Sequence, residues 1–233
     1  MNDSSSITAR LQLVRDRIGE AARTAQRDPT SIRLIAVSKG QSSQKIREAY
    51  AAGQREFGES YVQELRGKAE ELSDLPDLRF HLIGHLQSNK ARYAAAHCEC
   101  VHTIDSPALV LELAKRRSAL DKPPLGALVE VNIGREPQKH GVAAEAVSAV
   151  LNAVEVQPSL KLLGLMTIPP HTEDPQGALP YFDELRRLRD DCGGISRLPE
   201  LSMGMSDDFV FAIKAGATLV RVGTGIFGPR TVH

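Results

Sequence analysis

The sequence lacks tryptophan altogether, and aromatic residues make up only 4% of its 233 residues. Proteins that bind single-stranded nucleic acid stack bases on aromatic side chains, so this scarcity argues against that class. An excess of positive charge is also absent, because 29 Lys and Arg balance 29 Asp and Glu. A neutral chain has no general attraction to phosphate backbones or to anionic lipid. We therefore expect neither nucleic acid nor a membrane as a partner.

Long hydrophobic runs and paired cysteines are missing as well. No stretch approaches the roughly 18 apolar residues that a membrane span needs, and the polar residues 1–6 lack the apolar run of a secretory signal. The three cysteines, Cys98, Cys100 and Cys192, are an odd number without zinc-ribbon spacing. We interpret them as reduced structural thiols. These features predict a cytoplasmic protein in which residues 1–6 are disordered.

What the sequence does contain is a repeated pattern of short apolar or β-branched runs. Each run is followed by turn residues and a helix-like stretch, which predicts βα units with parallel strands. The eight runs are Leu34–Lys39, Glu56–Glu59, Arg79–His85, Cys100–Asp105, Leu125–Ile133, Lys161–Ile168, Glu200–Met205 and Leu219–Gly225. An additional helix precedes the first run, since one face collects Ile7, Leu11, Val14, Ile18 and Ala22.

Eight parallel strands with intervening helices can close into a barrel, and a typical barrel of roughly 250 residues uses nearly the whole chain. We predict a single (β/α)8 TIM barrel with an extra N-terminal helix, forming one domain over residues 1–233. The alternative is a doubly wound open sheet. That fold usually carries a Gly-rich dinucleotide loop after its first strand, where this chain has Ser38-Lys39-Gly40.

Functional groups of such barrels gather at the carboxyl ends of the strands. Lys39 ends the first run, on the face of Ile35 and Val37, and Arg221 lies in the last run. First and last strands of a closed barrel are neighbours about 4.8 Å apart, so both cations can approach one cavity. A nearby guanidinium favours the neutral, nucleophilic amine. The alternatives are a solvated Lys39 and an Arg221 paired with a strand-end acid such as Glu59.

A short glycine-rich turn, Gly223-Thr224-Gly225, follows Arg221. Small residues let backbone N–H groups approach phosphate oxygens, and a helix after the last strand adds its positive end. Thr224 could instead be a helix N-cap. Ser206 either adds a hydroxyl to this turn or caps its own helix, and the acids that follow it, Asp207 and Asp208, are expected to point outward.

Histidine spacing argues against a metal site. His81 and His85 are four residues apart in a predicted strand, and four strand residues span about 13 Å, too far for two ligands of one ion. His97 and His102 have no matching set of ligands. We therefore predict no metal.

Several separated blocks resemble the pyridoxal phosphate homeostasis protein family, whose fold is that of the amino-terminal barrel of bacterial alanine racemases. The blocks occur in the family's order, which makes the resemblance more specific than any one motif. They cover residues 34–39, 57–64, 81–90, 164–166, 201–206 and 221–228.

The resemblance implies that Lys39 forms the internal aldimine with pyridoxal 5'-phosphate (PLP) and that Arg221 approaches the pyridine nitrogen. It also implies that Ser206, Gly223 and Thr224 hold the phosphate. Two more residues of these blocks, Met166 and Ser60, complete the expected cofactor-binding set. Ser60 departs from the family, which has Asn there, so any contact from this position is made by a shorter hydroxyl.

An arginine beside the pyridine nitrogen disfavours protonation of the ring, which leaves a poorer electron sink. The resemblance therefore implies a non-catalytic, monomeric carrier in PLP homeostasis that serves PLP-dependent apoenzymes. The alternatives are an amino-acid racemase of the alanine racemase type and an aldolase that uses Lys39 on a substrate carbonyl. A racemase needs a second acid or base opposite the lysine. Alanine racemases take a tyrosine from an additional C-terminal domain, whereas only Tyr61 is predicted near this barrel mouth.

Overall fold

The computed structural model describes residues 6–228. Eight parallel strands pair in sequence order, and the first strand also pairs with the last, so the sheet closes into a barrel. The predicted TIM barrel is confirmed. The open doubly wound sheet is wrong, because an open sheet would leave the first strand without its contact to the eighth.

The strands lie where the apolar runs predicted them, but most end earlier. For example, the last run was predicted to reach Gly225, whereas its strand ends at Val222 because a short helix begins at Thr224. The bounds are β1 Arg33–Val37, β2 Glu56–Glu59, β3 Arg79–Leu82, β4 Cys98–Ile104, β5 Leu125–Glu130, β6 Leu160–Met166, β7 Glu200–Ser202 and β8 Leu219–Val222.

Helices cover the outer surface of the barrel. They are α1 Ile7–Thr24, α2 Ser43–Ala51, α3 Val62–Glu71, α4 Ala91–His97, α5 Pro107–Ser118, α6 Val147–Glu155, α7 Leu179–Asp191, α8 Gly194–Arg197, α9 Phe209–Lys214 and α10 Thr224–Phe227. Short 3-10 turns occupy Pro29–Ser31, Ser88–Lys90, Ala144–Ala146 and Pro175–Ala178. None of the helices in residues 6–228 is both long and apolar enough to cross a bilayer.

The N-terminal helix α1 buries the face that its apolar spacing predicted. Its N-cap is Ser6, whose hydroxyl accepts from the Ala9 N–H at 3.2 Å. Arg10 of α1 donates through Nε to the Ile226 carbonyl at 2.7 Å. The helix is thereby fixed beside α10, at the seam where β8 meets β1. Residues 1–5 of the segment predicted to be disordered lie outside the described residues.

The barrel interior is apolar at one level and polar at the next. Its apolar cluster comprises Ile35, Cys100, Leu128, Met166 and Leu219. Side chains two residues further along a strand point the same way, and these positions carry polar groups on three strands: His102 on β4, Glu130 on β5 and Arg221 on β8. The strand period thus places a layer of polar side chains at the carboxyl end of the barrel.

Candidate functional site at the carboxyl end of the barrel

Arg221 is a buried cation in the barrel interior. Its side chain is 3% exposed. Nη1 donates to Ser202 Oγ at 2.6 Å, and Nη2 donates to the Thr167 carbonyl at 2.9 Å. Burial lowers the Arg221 pKa to about 10, against the opposing effect of Asp208 and Glu130. The guanidinium is therefore charged at neutral pH, and the predicted alternative of an Arg221–Glu59 pair is wrong.

Glu59 pairs instead with Lys68 of α3. The Lys68 Nζ lies 2.6 Å from Glu59 Oε1 and also donates to the Ser38 carbonyl at 2.6 Å. Ser38 Oγ donates to the same Glu59 oxygen at 2.6 Å. These bonds tie the ends of β1 and β2 to α3. They fix the backbone immediately before Lys39.

Lys39 lies in the turn after β1, two residues beyond Val37, and is partly buried. The turn after β8 packs against this end of β1, because a Cβ built on Gly223 would lie 3.3 Å from the Val37 carbonyl oxygen. Arg221 pairs in register with Ile35. The predicted adjacency of the first and last strands is confirmed, and it brings the Lys39 and Gly223 segments together.

Three hydrogen-bonding groups converge in the loops after β7 and β8. The Gly223 N–H donates to Ser206 Oγ at 3.4 Å, and the hydroxyls of Thr224 and Ser206 lie 3.1 Å apart. Ser206 therefore faces the β8 turn and does not cap α9, whose N-cap is Asp208. Gly223 holds the N-cap position of α10, so the alternative of Thr224 as a cap is wrong.

The two acids after Ser206 behave differently from each other. Asp207 is exposed, as expected. Asp208 is buried, and its Oδ1 accepts from the Met205 N–H at 2.6 Å. The expectation that Asp208 points outward is wrong, because its carboxylate closes the turn before α9.

Met166 and Ser60 lie at the ends of other strands. Met166 is fully buried at the end of β6, where it belongs to the interior apolar cluster and pairs in register with Glu130. Ser60 follows β2 and is partly buried. The Ser60 backbone packs so closely on Gly84 that a Cβ there would lie 2.2 Å from the Ser60 carbonyl oxygen.

Glu130 is a buried carboxyl that the sequence analysis missed. Its Oε2 has no hydrogen-bond partner among the residues the structure describes. Burial, and secondarily the Asp105 charge, raises the Glu130 pKa to about 7, while Arg221 opposes the shift. The sequence does contain a sign of this buried carboxyl: Glu130 is the single acid in the apolar run Leu125–Ile133, and it faces the same side of the strand as Leu128.

The histidines form two separate clusters, which sequence spacing did not predict. His81 Nδ1 lies 3.0 Å from His102 Nε2 inside the barrel. At the rim, the His85 ring stacks on His140 with centroids 3.7 Å apart, and His85 Nδ1 lies 3.5 Å from Asp105 Oδ2. His81 and His85 belong to different clusters, which agrees with the expectation that their rings cannot bind one metal ion.

The comparisons with known proteins extend over nearly the whole chain. Residues 10–231 match the family described as alanine racemase, N-terminal domain. The pyridoxal phosphate homeostasis protein of Pseudomonas aeruginosa is 45% identical over 226 residues, covering 97% of this chain and 96% of that protein. Its Escherichia coli counterpart is 42% identical over 237 residues, covering 99% and 98% respectively. The chain belongs to the pyridoxal phosphate homeostasis protein family.

Solved structures agree with this family membership. PipY of Synechococcus elongatus, solved with PLP bound, is 39% identical with a TM-score of 0.82, covering 96% of this chain and all 100% of PipY. PipY without PLP gives 40% identity and a TM-score of 0.81, covering 92% of this chain and 100% of PipY. Alanine racemase of Corynebacterium glutamicum is 18% identical with a TM-score of 0.65, covering 93% of this chain and 62% of the racemase. That last likeness shows the fold alone.

Proposed function

We propose that this protein binds PLP at the carboxyl end of the barrel and acts as a carrier that limits the free aldehyde. The observation that carries the proposal is the convergence of Ser206, Gly223 and Thr224 beside the end of the strand that leads to Lys39. PipY, which covers 96% of this chain, was solved with PLP. The family's name points to the same cofactor.

The donor set fits the phosphate of PLP. Two hydroxyls and one backbone N–H meet at the start of α10. The hydrogen bonds that these three groups make with one another can be exchanged for bonds to phosphate oxygens. Bonds to phosphate are stronger because the acceptor is charged. A Cβ on Gly223 would also crowd Val37, so glycine lets this turn pack against the end of β1. Ser206, Gly223 and Thr224 would therefore hold the phosphate.

Lys39 is the residue that we assign to the aldehyde. Its amine can condense with an aldehyde with loss of water, and the chain segment that carries it is fixed by Ser38, Glu59 and Lys68. Arg221 is assigned to the pyridine nitrogen, because its charge is buried in the interior on the neighbouring strand β8. Met166 and Ser60 are assigned to the walls of the same site.

The charge of Arg221 favours holding the cofactor over using it. PLP supplies an electron sink for carbanion chemistry when its ring nitrogen is protonated. A guanidinium at that nitrogen disfavours the second positive charge. Tyr61, the residue considered for the opposite face of a substrate, is 63% exposed at the N-cap of α3. These two features support a carrier over an amino-acid racemase.

The carrier role includes transfer of the cofactor to PLP-dependent apoenzymes. We assign this role to a monomer, and we place it in the cytoplasm because free cysteines such as Cys98, Cys100 and Cys192 are typical of a reducing compartment. Water would reverse the condensation and return the free aldehyde and the Lys39 amine, so the cofactor could leave with no reagent other than water.

The experiment that tests the proposal is trapping of the bound cofactor. Purified protein is loaded with PLP, reduced with borohydride, digested and mapped by mass spectrometry. The pyridoxyl group is expected on the Lys39 peptide, and Lys39→Ala should abolish both the label and the absorption band. Lys139→Ala is the matched control, because Lys139 is also partly buried; its ammonium donates to the Pro169 carbonyl and pairs with Glu136. A label on Lys90 or Lys139 would refute the assignment.

A further inference from the structure

A chain of hydrogen bonds runs from Arg221 into the barrel interior. Arg221 Nη1 donates to Ser202 Oγ at 2.6 Å. Ser202 Oγ lies 2.9 Å from His102 Nδ1, and His102 Nε2 lies 3.0 Å from His81 Nδ1. The four side chains come from β8, β7, β4 and β3, and all four are buried. The chain therefore links the cation at the proposed cofactor site to half of the barrel strands.

The donors and acceptors of this chain can be assigned. A guanidinium only donates hydrogen bonds, so Ser202 Oγ must accept from Arg221. Within residues 6–228 the Ser202 hydroxyl has no acceptor other than His102 Nδ1. We therefore assign the His102 proton to Nε2, which then donates to His81 Nδ1. Each bond sets the direction of the next.

The two imidazoles in this chain are neutral. Burial lowers the pKa of His81 to about 3 and holds the pKa of His102 well below its ordinary value, with the Arg221 charge contributing to the latter. A protonated His102 would place an N–H where the chain needs an acceptor. The neutral ring instead accepts a hydrogen bond from the Ser202 hydroxyl at Nδ1. The lone pairs of Ser202 Oγ then remain available to accept from Arg221.

A metal ion is the alternative explanation for this cluster. His81, Cys100 and His102 each have a ligand atom within 4.8 Å of the others. Burial raises the pKa of Cys100 well above its usual value, so a metal would have to displace the proton of a buried thiol. The facing nitrogens of His81 and His102 are already hydrogen-bonded to each other. The observations favour the hydrogen-bond chain.

We propose that Ser202 and His102 are positioning residues that fix the orientation of the Arg221 guanidinium toward the ring nitrogen of the bound cofactor. This inference rests on the proposed function. Among the described residues, the Arg221 guanidinium has one other hydrogen-bond acceptor, the backbone carbonyl of Thr167. Loss of Ser202 would leave the guanidinium held at one point, free to rotate about that bond. His102 acts indirectly: it accepts the hydrogen bond of the Ser202 hydroxyl, which orients the Ser202 lone pairs toward Arg221.

The test uses paired variants of the full chain loaded with PLP. Ser202→Ala and His102→Leu remove a bond of the chain, whereas Ser202→Thr keeps the hydroxyl and His102→Gln keeps an acceptor. Cys100→Ala is the matched control, because it removes a buried interior side chain from the adjacent apolar level, outside the hydrogen-bond chain. The readouts are PLP affinity, the absorption maximum of the bound cofactor, and thermal unfolding of the unloaded protein.

Ser202→Ala and His102→Leu are expected to weaken PLP binding about tenfold and to shift the absorption maximum. Ser202→Thr and His102→Gln should recover most of both properties. Cys100→Ala should lower the unfolding temperature without shifting the spectrum. A Ser202→Ala spectrum and affinity equal to those of the wild type would overturn the positioning role, as would an equal spectral shift in Cys100→Ala.

The two proposals fail in different ways. If wild-type protein shows no PLP band at all, the proposed function is wrong and the positioning role falls with it. If wild-type protein binds PLP and the Ser202→Ala and His102→Leu variants match it in affinity and absorption maximum, the positioning role alone is wrong. Nitrogen NMR of the unloaded wild type gives an independent check, since His102 should carry its proton on Nε2. A proton on Nδ1 would contradict the assigned chain.

Discussion

The Lys68 ammonium lies 2.6 Å from the Glu59 carboxylate, and the two side chains are 7% and 0% exposed. Lys68 reaches this position from α3 and also donates to Glu64 at 2.6 Å, one turn earlier on the same helix. The pair is buried because it lies between the barrel and its helical layer. It connects β2 to α3 and, through Ser38, to the segment that precedes Lys39.

Removing the lysine of this pair is expected to destabilise the fold strongly. Lys68→Ala leaves the Glu59 carboxylate buried without its cation, which typically costs about 3–5 kcal/mol of unfolding free energy. Urea denaturation of the unloaded protein measures the loss. The double variant Lys68→Met with Glu59→Leu removes both charges and should be more stable than Lys68→Ala alone. A loss below about 1 kcal/mol, as at an exposed pair, would contradict this view.

Glu130 predicts a pH dependence of stability. The carboxyl has an ordinary pKa of 4.5 in the unfolded chain and a pKa of about 7 in the folded protein. Between these values the folded protein retains a proton that the unfolded chain has lost, so stability falls as pH rises through this window. The full loss amounts to about 3 kcal/mol.

Glu130→Gln should remove that dependence. The variant is expected to be more stable than the wild type at pH 8 and similar to it at pH 4, as measured by urea denaturation across that range. The exposed Glu145→Gln is the control and should leave the wild-type pH profile unchanged. Parallel profiles for Glu130→Gln and wild type would show that this carboxyl does not titrate as assigned.

Thr224→Val tests the phosphate contact. The change removes one hydroxyl donor while keeping the shape of the side chain, and we expect PLP affinity to fall by about 1–2 kcal/mol. Thr224→Ser should retain the affinity. Gly223→Val should be worse, because its side chain would crowd Val37. Isothermal titration with PLP and with pyridoxal gives the comparison, and equally tight binding of pyridoxal would refute the phosphate assignment.

Gly84 and Gly67 form a matched pair for backbone packing. A Cβ on Gly84 would lie 2.2 Å from the Ser60 carbonyl oxygen, so Gly84→Ala must displace backbone and should cost about 1–3 kcal/mol. A Cβ on Gly67, in α3, meets nothing within 4 Å. Gly67→Ala should therefore stabilise the protein by up to about 1 kcal/mol through helix propensity. Thermal unfolding distinguishes the two, and equal effects would contradict the close contact at Gly84.

The carrier role predicts slow chemistry on amino acids. Loaded protein should exchange the α-proton of alanine or serine for deuterium far more slowly than about 1 per second, the lower end of ordinary enzymatic rates. The measurement is proton NMR in deuterium oxide, with a Lys39→Ala control. Turnover at enzymatic rates would favour the racemase alternative and make Tyr61→Phe the next variant to test.

The sequence by itself determined the barrel and the position of its two principal cations. Strand and helix periods identified eight strands and the helix α1, and closure then required β1 and β8 to be neighbours. Lys39 and Arg221 were found from this local pattern plus closure. Strand ends were predicted less well, because apolar residues continue into the loops at Ile133 and Ile168, where hydrogen bonding to the next strand stops.

Only the tertiary structure decided which polar groups meet. Ser206 contacts Thr224 across 18 residues of chain, and His102 contacts Ser202 across 100. Glu130 Oε2 has no hydrogen-bond partner within residues 6–228, which only the placement of the neighbouring strands shows. Side chains alternate between the two faces of a strand, so the sequence predicts which face each one occupies. The height of a side chain along the barrel axis depends instead on the register between strands. Partners in this interior are therefore set by closure and register, which no local stretch of sequence contains.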